Sequence, residues 1–383
     1  MKQGGTNRAL HVFKNGRVKT IERRKPAPGT DILKAITILS HEFGTPEYVL
    51  AGGGNTSCKD KTTLRIKPSG TTLSGLTMES FIAMDRPTLN RLYSVEPPAA
   101  PAEREALVKD MMAKSVLAST PGRASVEAPL HNALSARFVV HTHPSAVNGL
   151  TCSLGGRAAA ARLFPDALWV PYVDPGYTLC MVVRQAVQDY QAVNSREPSL
   201  LFLENHGVFV CADTSEEIRA IYARVMGTLA RVYIESGVDS KVPVGPLPAT
   251  ALVSRWRATL VEALGEDAAA VLPSGRFSVT SGPVSPDHIV YAKSYPFEGV
   301  LTVENLRAFK AAHGYAPRIV VTDQAVLGVA STNTAARQAL TLAMDAAVVR
   351  RLARAFGGLQ LLTDSSRAFI ENWEVEAYRM RQA

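Results

Sequence analysis

Residues Glu127 to His143 read EAPLHNALSARFVVHTH, and this stretch decides how the rest of the chain is interpreted. The apolar run Phe138 to Val140 leads directly into His141 and His143, which are separated by one residue. The run predicts a buried strand, and alternate residues of a strand point to the same side. Both imidazoles are therefore expected to face a single point at the end of the strand.

A third histidine, His206, occupies a similar position just after the apolar run 200–203. Three neutral imidazoles around an open fourth position form the ligand set of a catalytic zinc ion. We therefore predict that His141, His143 and His206 bind one Zn²⁺ per subunit, or another divalent metal in its place. The simpler alternative is that the two histidines of the H-x-H pair pack separately, one in the core and one at the surface.

Glu127 supplies a carboxylate upstream of the histidine pair. It stands four residues before His131 in a helical pattern, so both side chains are expected on one face of a helix. We predict that Glu127 is a general acid/base beside the metal, and a surface glutamate is the alternative. For His131 we favour a helix-packed position, or one that orients Glu127 or a ligand, over a fourth metal ligand that would close the site.

Two turns rich in small residues flank a predicted hairpin. The first is GGGNTS at 52–57, and the second is KPSGT at 67–71, where Lys67 adds a cation and the hydroxyl residues add donors. Glycine amides can approach an anion without obstruction by Cβ atoms. We interpret the two turns as a phosphate cradle, although GGGNTS is not a G-x-G-x-x-G nucleotide motif and by itself is most often a simple turn.

Composition limits the classes of partner. The chain has 383 residues, 46% of them hydrophobic, and this length fits two domains of ordinary size. The net charge of +8 favours anionic partners, but without interleaved aromatic and basic residues we expect no nucleic-acid partner. The four cysteines form no C-x-x-C unit, and no apolar run is typical of a signal peptide or a membrane span. We therefore expect a cytoplasmic protein without a membrane contact.

The apolar patterns predict an α/β fold in four regions. Residues 1–27 form a basic arm, 28–240 a domain with a mixed central sheet flanked by helices, 241–250 a proline-rich linker, and 251–383 a smaller α/β domain. Strands are predicted in the first domain at 48–51, 62–66, 138–140, 168–170, 200–203 and 208–211. Helices are predicted there at 30–44, 78–92, 102–117, 157–163, 181–193 and 214–236. In the second domain the predicted strands are 288–292, 318–322 and 325–329, and the predicted helices are 252–264, 332–356 and one from 365.

These motifs in this order resemble the class II aldolase/adducin family. The resemblance covers roughly residues 28–240 and rests on GGGNTS, KPSG, the E-x-x-L-H spacing from Glu127, HTHP from His141 and NHG around His206. The later segments SPDHIVY and FIENWEVE are similar to the aldolase half of bifunctional rhamnulose-1-phosphate aldolase/alcohol dehydrogenase proteins.

The resemblance implies roles for particular residues. Zinc would be held by His141, His143 and His206, with Glu127 as the proton-transfer residue in a site at a subunit interface of a cyclic homotetramer. The residues matching positions that hold the substrate phosphate, or lie next to it, are Gly54, Asn55, Ser69 and Gly70, with Lys67 and Ser125 beside them. Fuculose-type members carry two adjacent serines before the glutamate, whereas Val126 follows Ser125 here, so one phosphate hydroxyl is missing or replaced. Candidates for the tyrosine acid of some members are Tyr172, Tyr177, Tyr222 and Tyr233.

The combined prediction is a zinc-dependent class II aldolase. It would cleave a ketose 1-phosphate, similar to rhamnulose or fuculose phosphate, reversibly to dihydroxyacetone phosphate and an aldehyde through a metal-stabilised enediolate. The alternative within catalysis is a pentulose-phosphate 4-epimerase, which breaks and re-forms the same bond and retains the fragments. The alternative outside catalysis is an adducin-like binding protein. The sequence leaves open the sugar, its stereochemistry and the chemical nature of the anionic group.

Overall fold

A computed structural model of the protein describes residues 10–14, 17–21, 30–98, 100–117 and 122–372. Two short strands, β1 (Leu10–Lys14) and β2 (Arg17–Ile21), form an antiparallel pair within the predicted basic arm. The other residues of that arm lie outside the described residues, as does the part of the predicted last helix beyond residue 372.

The largest sheet holds the predicted histidine strand at its centre. Its strands are β3 (Asn55–Lys59), β4 (Thr63–Ile66), β5 (Ile82–Asp85), β6 (Phe138–Thr142), β7 (Leu168–Val170), β8 (Leu200–Leu203) and β9 (Gly207–Ala212). Their order is β5-β4-β3-β6-β9-β8-β7. All neighbours run antiparallel except β7 and β8, which run parallel. The predicted mixed sheet is therefore confirmed.

Helices cover both faces of this sheet. They are α1 (Thr30–Glu42), α2 (Arg86–Asn90), α3 (Pro101–Ser115), α4 (Ala128–Ala133), α5 (Ser145–Thr151), α6 (Gly156–Leu163), α7 (Tyr177–Asn194) and α8 (Ser215–Glu235). On β6, Val140 joins an apolar cluster that includes Ile36 of α1 and Leu229 of α8. Its neighbour Val139 joins a different cluster that includes Val183 of α7. Alternation along the strand explains why all five residues of β6 are buried.

A second, smaller sheet lies in the C-terminal region, as predicted. Its strands are β10 (Ala270–Gly275), β11 (Phe297–Glu298), β12 (Ile319–Val321) and β13 (Ala325–Ala330), in the order β10-β13-β12-β11. The helices of this region are α9 (Thr250–Leu264), α10 (Pro286–Ala292), α11 (Val303–His313), α12 (Asn333–Ala353) and α13 (Asp364–Asn372). Residues 241–249, in the predicted linker, have no regular secondary structure.

The long helix α12 packs into both apolar cores. Ala339 and Leu342 in its first half belong to a cluster with Ile319 and Val326 of the small sheet. Leu352 near its end belongs to the core of the large sheet. The C-terminal region is therefore fastened to the first region by buried apolar contacts, and it is not held by the connecting segment alone.

Two predictions in the first region were wrong. Residues 48–51 form turns, because the amides of Tyr48 and Val49 both donate to the carbonyl of Thr45. The predicted helix at 78–92 contains strand β5, and α2 starts only after Asp85, whose side chain caps the amide of Thr88. Short apolar runs do not distinguish a strand from a buried turn or a short helix. The secondary structure of these two segments is therefore set by their tertiary contacts.

The prediction of a strand at 288–292 was also wrong. These residues form most of helix α10, which begins at Pro286 after the N-cap residue Ser285. Every residue of this helix is buried, so its sequence shows no polar face that would reveal a helical period. None of the described helices is both long enough and apolar enough to cross a membrane.

Leu229 and Ile234 on α8 provide a matched test of the core. Leu229 is fully buried, whereas Ile234 is 78% exposed on the same helix. We expect Leu229→Ala to lower the free energy of unfolding by about 2–5 kcal/mol, because it leaves a cavity. Ile234→Ala should change it by about 0.5 kcal/mol or less. Urea unfolding followed by circular dichroism measures both, and equal effects would contradict the assignment of this core.

Candidate metal centre and substrate cavity

His141 is placed by the centre of the large sheet. It pairs in register with Asn55 on β3 and with Phe209 on β9. Its ring stacks on the ring of Phe209, with centroids 3.9 Å apart, and is completely buried. Its Nδ1 lies 2.9 Å from the carbonyl oxygen of Val208. Because a carbonyl only accepts hydrogen bonds, Nδ1 carries the proton and Nε2 presents a lone pair towards His143.

The three predicted ligands lie together. One ligand atom from each of His141, His143 and His206 falls within 4.8 Å of the others. The Nε2 atoms of His141 and His143 are only 2.8 Å apart. His206 approaches from the turn between β8 and β9, where Asn205 adopts a left-handed conformation with φ of 49°. Residues 65 positions apart in the chain, 141 and 206, therefore meet at one point.

The chemistry of this donor set fits a metal cation. The Nδ1 of His143 faces a carboxylate oxygen, so its Nε2 also presents a lone pair when Nδ1 donates to that oxygen. Two lone pairs at this separation repel each other unless a positive charge lies between them. A proton can bridge only two nitrogens, whereas a metal ion accepts all three. Burial lowers the pKa of His206 to about 3, which keeps its imidazole neutral and able to bind a metal at neutral pH.

Glu127 lies against two of the three histidines. It is the residue immediately before α4, and its Oε2 is 3.6 Å from Nε2 of His141, while its Oε1 is 3.7 Å from Nε2 of His206. The amide Nδ2 of Asn55 donates to Oε2 over 2.5 Å. Among the described residues nothing hydrogen-bonds Oε1, which is buried. Oε2 is thus held in place by Asn55, and Oε1 is able to accept a proton.

His131 is fully buried behind the cluster. Its Nδ1 is hydrogen-bonded to the hydroxyl of Ser57 over 2.8 Å, and its ring packs edge-on against Phe209 with centroids 5.4 Å apart. Phe209 in turn stacks on His141, so His131 supports that ligand through an aromatic ring. Burial places the pKa of His131 well below its usual value. Its link to Glu127 is a main-chain hydrogen bond, from its own amide to the carbonyl oxygen of Glu127 over 2.9 Å.

One cavity collects the predicted substrate residues beside the histidines. Its lining includes Gly54, Asn55, Lys67, Ser69, Gly70, Ser125, Glu127, His143 and His206. The two small-residue segments meet here because the main-chain amide of Lys67 donates a hydrogen bond to the carbonyl oxygen of Thr56, next to Asn55, over 3.1 Å. Gly54 has φ of +63°, and a Cβ atom there would lie 2.6 Å from the carbonyl oxygen of His141. Glycine is therefore required where the first turn passes the three-histidine cluster.

Sequence reasoning missed several residues of this cavity. Pro175, Pro286 and Asp287 line it without having been assigned to the site, and Gly52 of the first turn and Val126 line it as well. Asp287 lies in the SPDHIVY segment on α10, and its Oδ2 is 2.5 Å from Nδ1 of His143. The segment carries a family resemblance, but its distance of 144 positions from His143 conceals the contact.

The four tyrosine candidates for a proton donor lie elsewhere, since none of them lines the cavity. Tyr172 donates to the carboxylate of Asp174, and Tyr177 donates to main-chain carbonyls near residue 92. Tyr222 is bonded to the hydroxyl of Thr142, and Tyr233 donates to the carbonyl of Ala146. Their hydroxyl groups therefore serve packing of the domain in this structure.

Fold and site together define an α/β protein with a three-histidine centre in a polar cavity, and comparison with known proteins agrees. The family model described as "Class II Aldolase and Adducin N-terminal domain" matches residues 34–234, more than half of the chain. The chain therefore belongs to the class II aldolase and adducin family. The description of this family model covers both class II aldolases and adducins.

Individual relatives are distant. YuxG of Bacillus subtilis (strain 168), named an uncharacterized oxidoreductase, is 29% identical over an alignment of 175 residues that covers 43% of this chain and 24% of YuxG. The N-terminal class II aldolase domain of a conserved protein from Thermoplasma acidophilum is 21% identical, with 57% of this chain and 99% of that chain covered and a TM-score of 0.45. L-fuculose-1-phosphate aldolase from Thermus thermophilus is 17% identical, with coverage of 55% and 99% and a TM-score of 0.36.

Removal of single imidazoles tests the metal centre. We expect His141→Ala and His206→Ala to lose bound metal after dialysis against a chelator, because two remaining imidazoles no longer complete the donor set. The metal content per chain, measured by atomic emission, should fall to near zero. His313→Ala is the control, since His313 packs against Phe309 outside the cluster. Retention of metal by either of the first two variants would contradict the assignment.

Proposed function

We propose that the protein is a zinc-dependent class II aldolase that reversibly cleaves a ketose 1-phosphate to dihydroxyacetone phosphate and an aldehyde. The observation that carries the proposal is the convergence of three imidazoles beside one cavity, which two of them line together with one carboxylate and a set of residues suited to binding an anion. A substrate with a phosphate at one end and adjacent carbonyl and hydroxyl oxygens matches these two halves of the cavity.

The histidines would hold the metal through their Nε2 atoms, as the hydrogen bonds at Nδ1 of His141 and His143 favour. A bound divalent cation supplies an electrophile for the negative charge that develops on the substrate oxygens when the bond between C3 and C4 breaks. No lysine is then needed to form a Schiff base with the ketone. The position of the predicted ligands on strand ends and a tight turn keeps their rings at fixed positions.

Glu127 would move the proton at C3. Asn55 holds Oε2 through its amide, and this leaves Oε1 as the atom that accepts or returns the proton. Both oxygens lie within 4 Å of a predicted ligand nitrogen, so the proton is transferred next to the carbon that carries the developing charge. Burial excludes bulk water from this carboxylate, which is 9% exposed at its side chain.

The other end of the cavity would bind the phosphate. Lys67 supplies a positive charge, and its Nζ lies 3.3 Å from the carbonyl oxygen of Gly52 on the first turn. Ser69, Ser125 and the backbone around Gly70 supply hydrogen-bond donors on the same wall. Val126 lines the cavity at the position of the second serine in fuculose-type members, so Lys67 and Ser69 carry more of the phosphate binding here.

The proposal includes an assembly and a location. Class II family members are often oligomers, and we propose a homotetramer in the cytoplasm with sites near subunit interfaces, as the family resemblance implies. We propose neither a nucleic-acid partner nor a membrane contact. Light scattering coupled to size exclusion would measure the mass of the assembly directly.

Product analysis separates the proposed reaction from its rivals. We expect the zinc-loaded protein to release free aldehyde and dihydroxyacetone phosphate from at least one member of a panel of ketose 1-phosphates, and to condense the same pair in reverse. Coupled assays and NMR detect both directions. Conversion of a pentulose phosphate to its C4 epimer without free aldehyde would instead establish the epimerase. Binding of sugar phosphates without any change in carbon bonds would favour an adducin-like binding protein.

Solvent exchange tests the role of Glu127. Glu127→Gln preserves shape and should keep the metal, but it removes the base, so exchange of the C3 proton of dihydroxyacetone phosphate with solvent deuterium should slow by at least about 100-fold. Glu197→Gln is a control, because that carboxylate binds Ser135 at the surface. Unchanged exchange in Glu127→Gln would remove Glu127 from the proton-transfer role.

A further inference from the structure

We propose that Asp287 is a positioning residue for His143, and that the C-terminal region thereby completes the metal centre of the aldolase domain. The inference rests on the proposed metal site but not on the identity of the substrate. It assigns a role to a region that begins after the family match ends at residue 234.

The contact has the geometry of an orienting hydrogen bond. Oδ2 of Asp287 lies 2.5 Å from Nδ1 of His143, and the two side chains are 7% and 10% exposed. An ionised carboxylate accepts hydrogen bonds only, so Nδ1 must be the donor. This fixes the tautomer of His143, directs its Nε2 towards His141 and His206, and makes the ring a stronger ligand. His141 receives the corresponding support from a neutral carbonyl, that of Val208.

The first turn leaves room for this pair. A Cβ atom on Gly53 would lie 2.4 Å from Oδ2 of Asp287 and 3.3 Å from Nδ1 of His143. A side chain at this position would therefore push the carboxylate away from the imidazole. A hydrogen bond between the two regions reinforces the approach, since the main-chain amide of neighbouring Gly52 donates to the side-chain hydroxyl of Tyr291 on α10 over 3.1 Å.

A buried carboxylate on α12 holds the same two segments together. Asp345 accepts from the hydroxyl of Ser145, which stands two residues after His143. Its other oxygen is 3.1 Å from Nε2 of His288, the residue after Asp287. The Nδ1 of His288 is hydrogen-bonded to the hydroxyl of Ser285 over 2.7 Å. Asp345 therefore links the segment that follows His143 to the segment that contains Asp287.

The C-terminal region also supports the turn that carries His206. The amide Nδ2 of Asn205 donates to the carbonyl oxygens of Val284 and Gln360, each over 2.8 Å. Asn205 has the left-handed conformation that this turn requires, and these bonds hold it there. Residues beyond 280 thus hold two of the three predicted ligands in place. They contact the ring of His143 directly, and they hold His206 through its neighbour Asn205.

The test is metal affinity of the full chain, measured with the metal alone. Apo protein is titrated with Co²⁺ and followed by visible absorption, and the Zn²⁺ affinity is obtained by competition with a chromophoric chelator. We expect Asp287→Ala to weaken binding by about 10- to 100-fold, the usual effect of removing a group that orients a histidine ligand. Asp287→Asn should weaken it less, because its amide oxygen can still accept the proton of Nδ1. Glu371→Gln, which alters a buried carboxylate elsewhere in the same region, should bind as the wild type does.

A second comparison separates positioning from general stability. The His143→Ala background is titrated with Co²⁺ raised to a concentration at which the two remaining imidazoles bind it without a competing chelator, and there Asp287→Asn should cause no further loss of affinity, because its effect passes through the missing ring. An equal loss in both backgrounds, or an affinity of Asp287→Ala within about twofold of wild type, would overturn the inference. If Asp287→Ala does not fold, as judged by thermal unfolding of the apo protein, Asp287→Asn and its double variant still decide. Aspartate-dependent metal binding without ketose cleavage would refute only the proposed function, whereas a wild-type chain that binds no metal would refute both.

Discussion

The constraint on which this structure depends is the close approach of imidazole nitrogens that carry lone pairs. The 2.8 Å separation of Nε2 in His141 and His143 is unfavourable without a positive charge between them. The surrounding structure maintains the approach through groups that bind the opposite nitrogen of His141 and of His143. The hydrogen bonds to Val208 and Asp287, the stacked Phe209 and the tight turn before His206 all direct donor atoms towards one point.

The large sheet makes this arrangement possible because β6 lies at its centre. Neighbouring strands on both sides restrain His141, and apolar clusters on both faces keep β6 from moving. Asn55 begins β3 beside His141 on β6, and Glu127 immediately precedes α4, so a carboxylate and its amide partner reach the histidines. A rigid scaffold with polar residues at its edge can place reactive groups to within fractions of an ångström.

The C-terminal region changes how the domain organisation is understood. Two sheets suggest two units, yet α12 contributes to both apolar cores, and Asp345 links Ser145 of the first region to His288 of the second. Removing the C-terminal region would therefore expose apolar surface and leave buried polar groups without partners, which is costly. The region acts as part of the scaffold around the three-histidine cluster, and the boundaries 28–240 and 251–383 remain sequence predictions.

The sequence by itself determined the class of fold, the central strand and the strand-end positions of the three histidines, because each of these features leaves a local pattern of apolar runs or residue types. It placed all of GGGNTS in a turn, whereas the structure has residues 55–57 of this segment in β3. It also grouped Gly54, Asn55, Lys67, Ser69, Gly70 and Ser125 as neighbours of one anion, and the structure brings them to one cavity. Only the tertiary structure decided that 288–292 is a helix, since a fully buried segment shows no period. The same holds for the placement of Asp287 at His143, because a contact between residues 144 positions apart leaves no mark on local spacing.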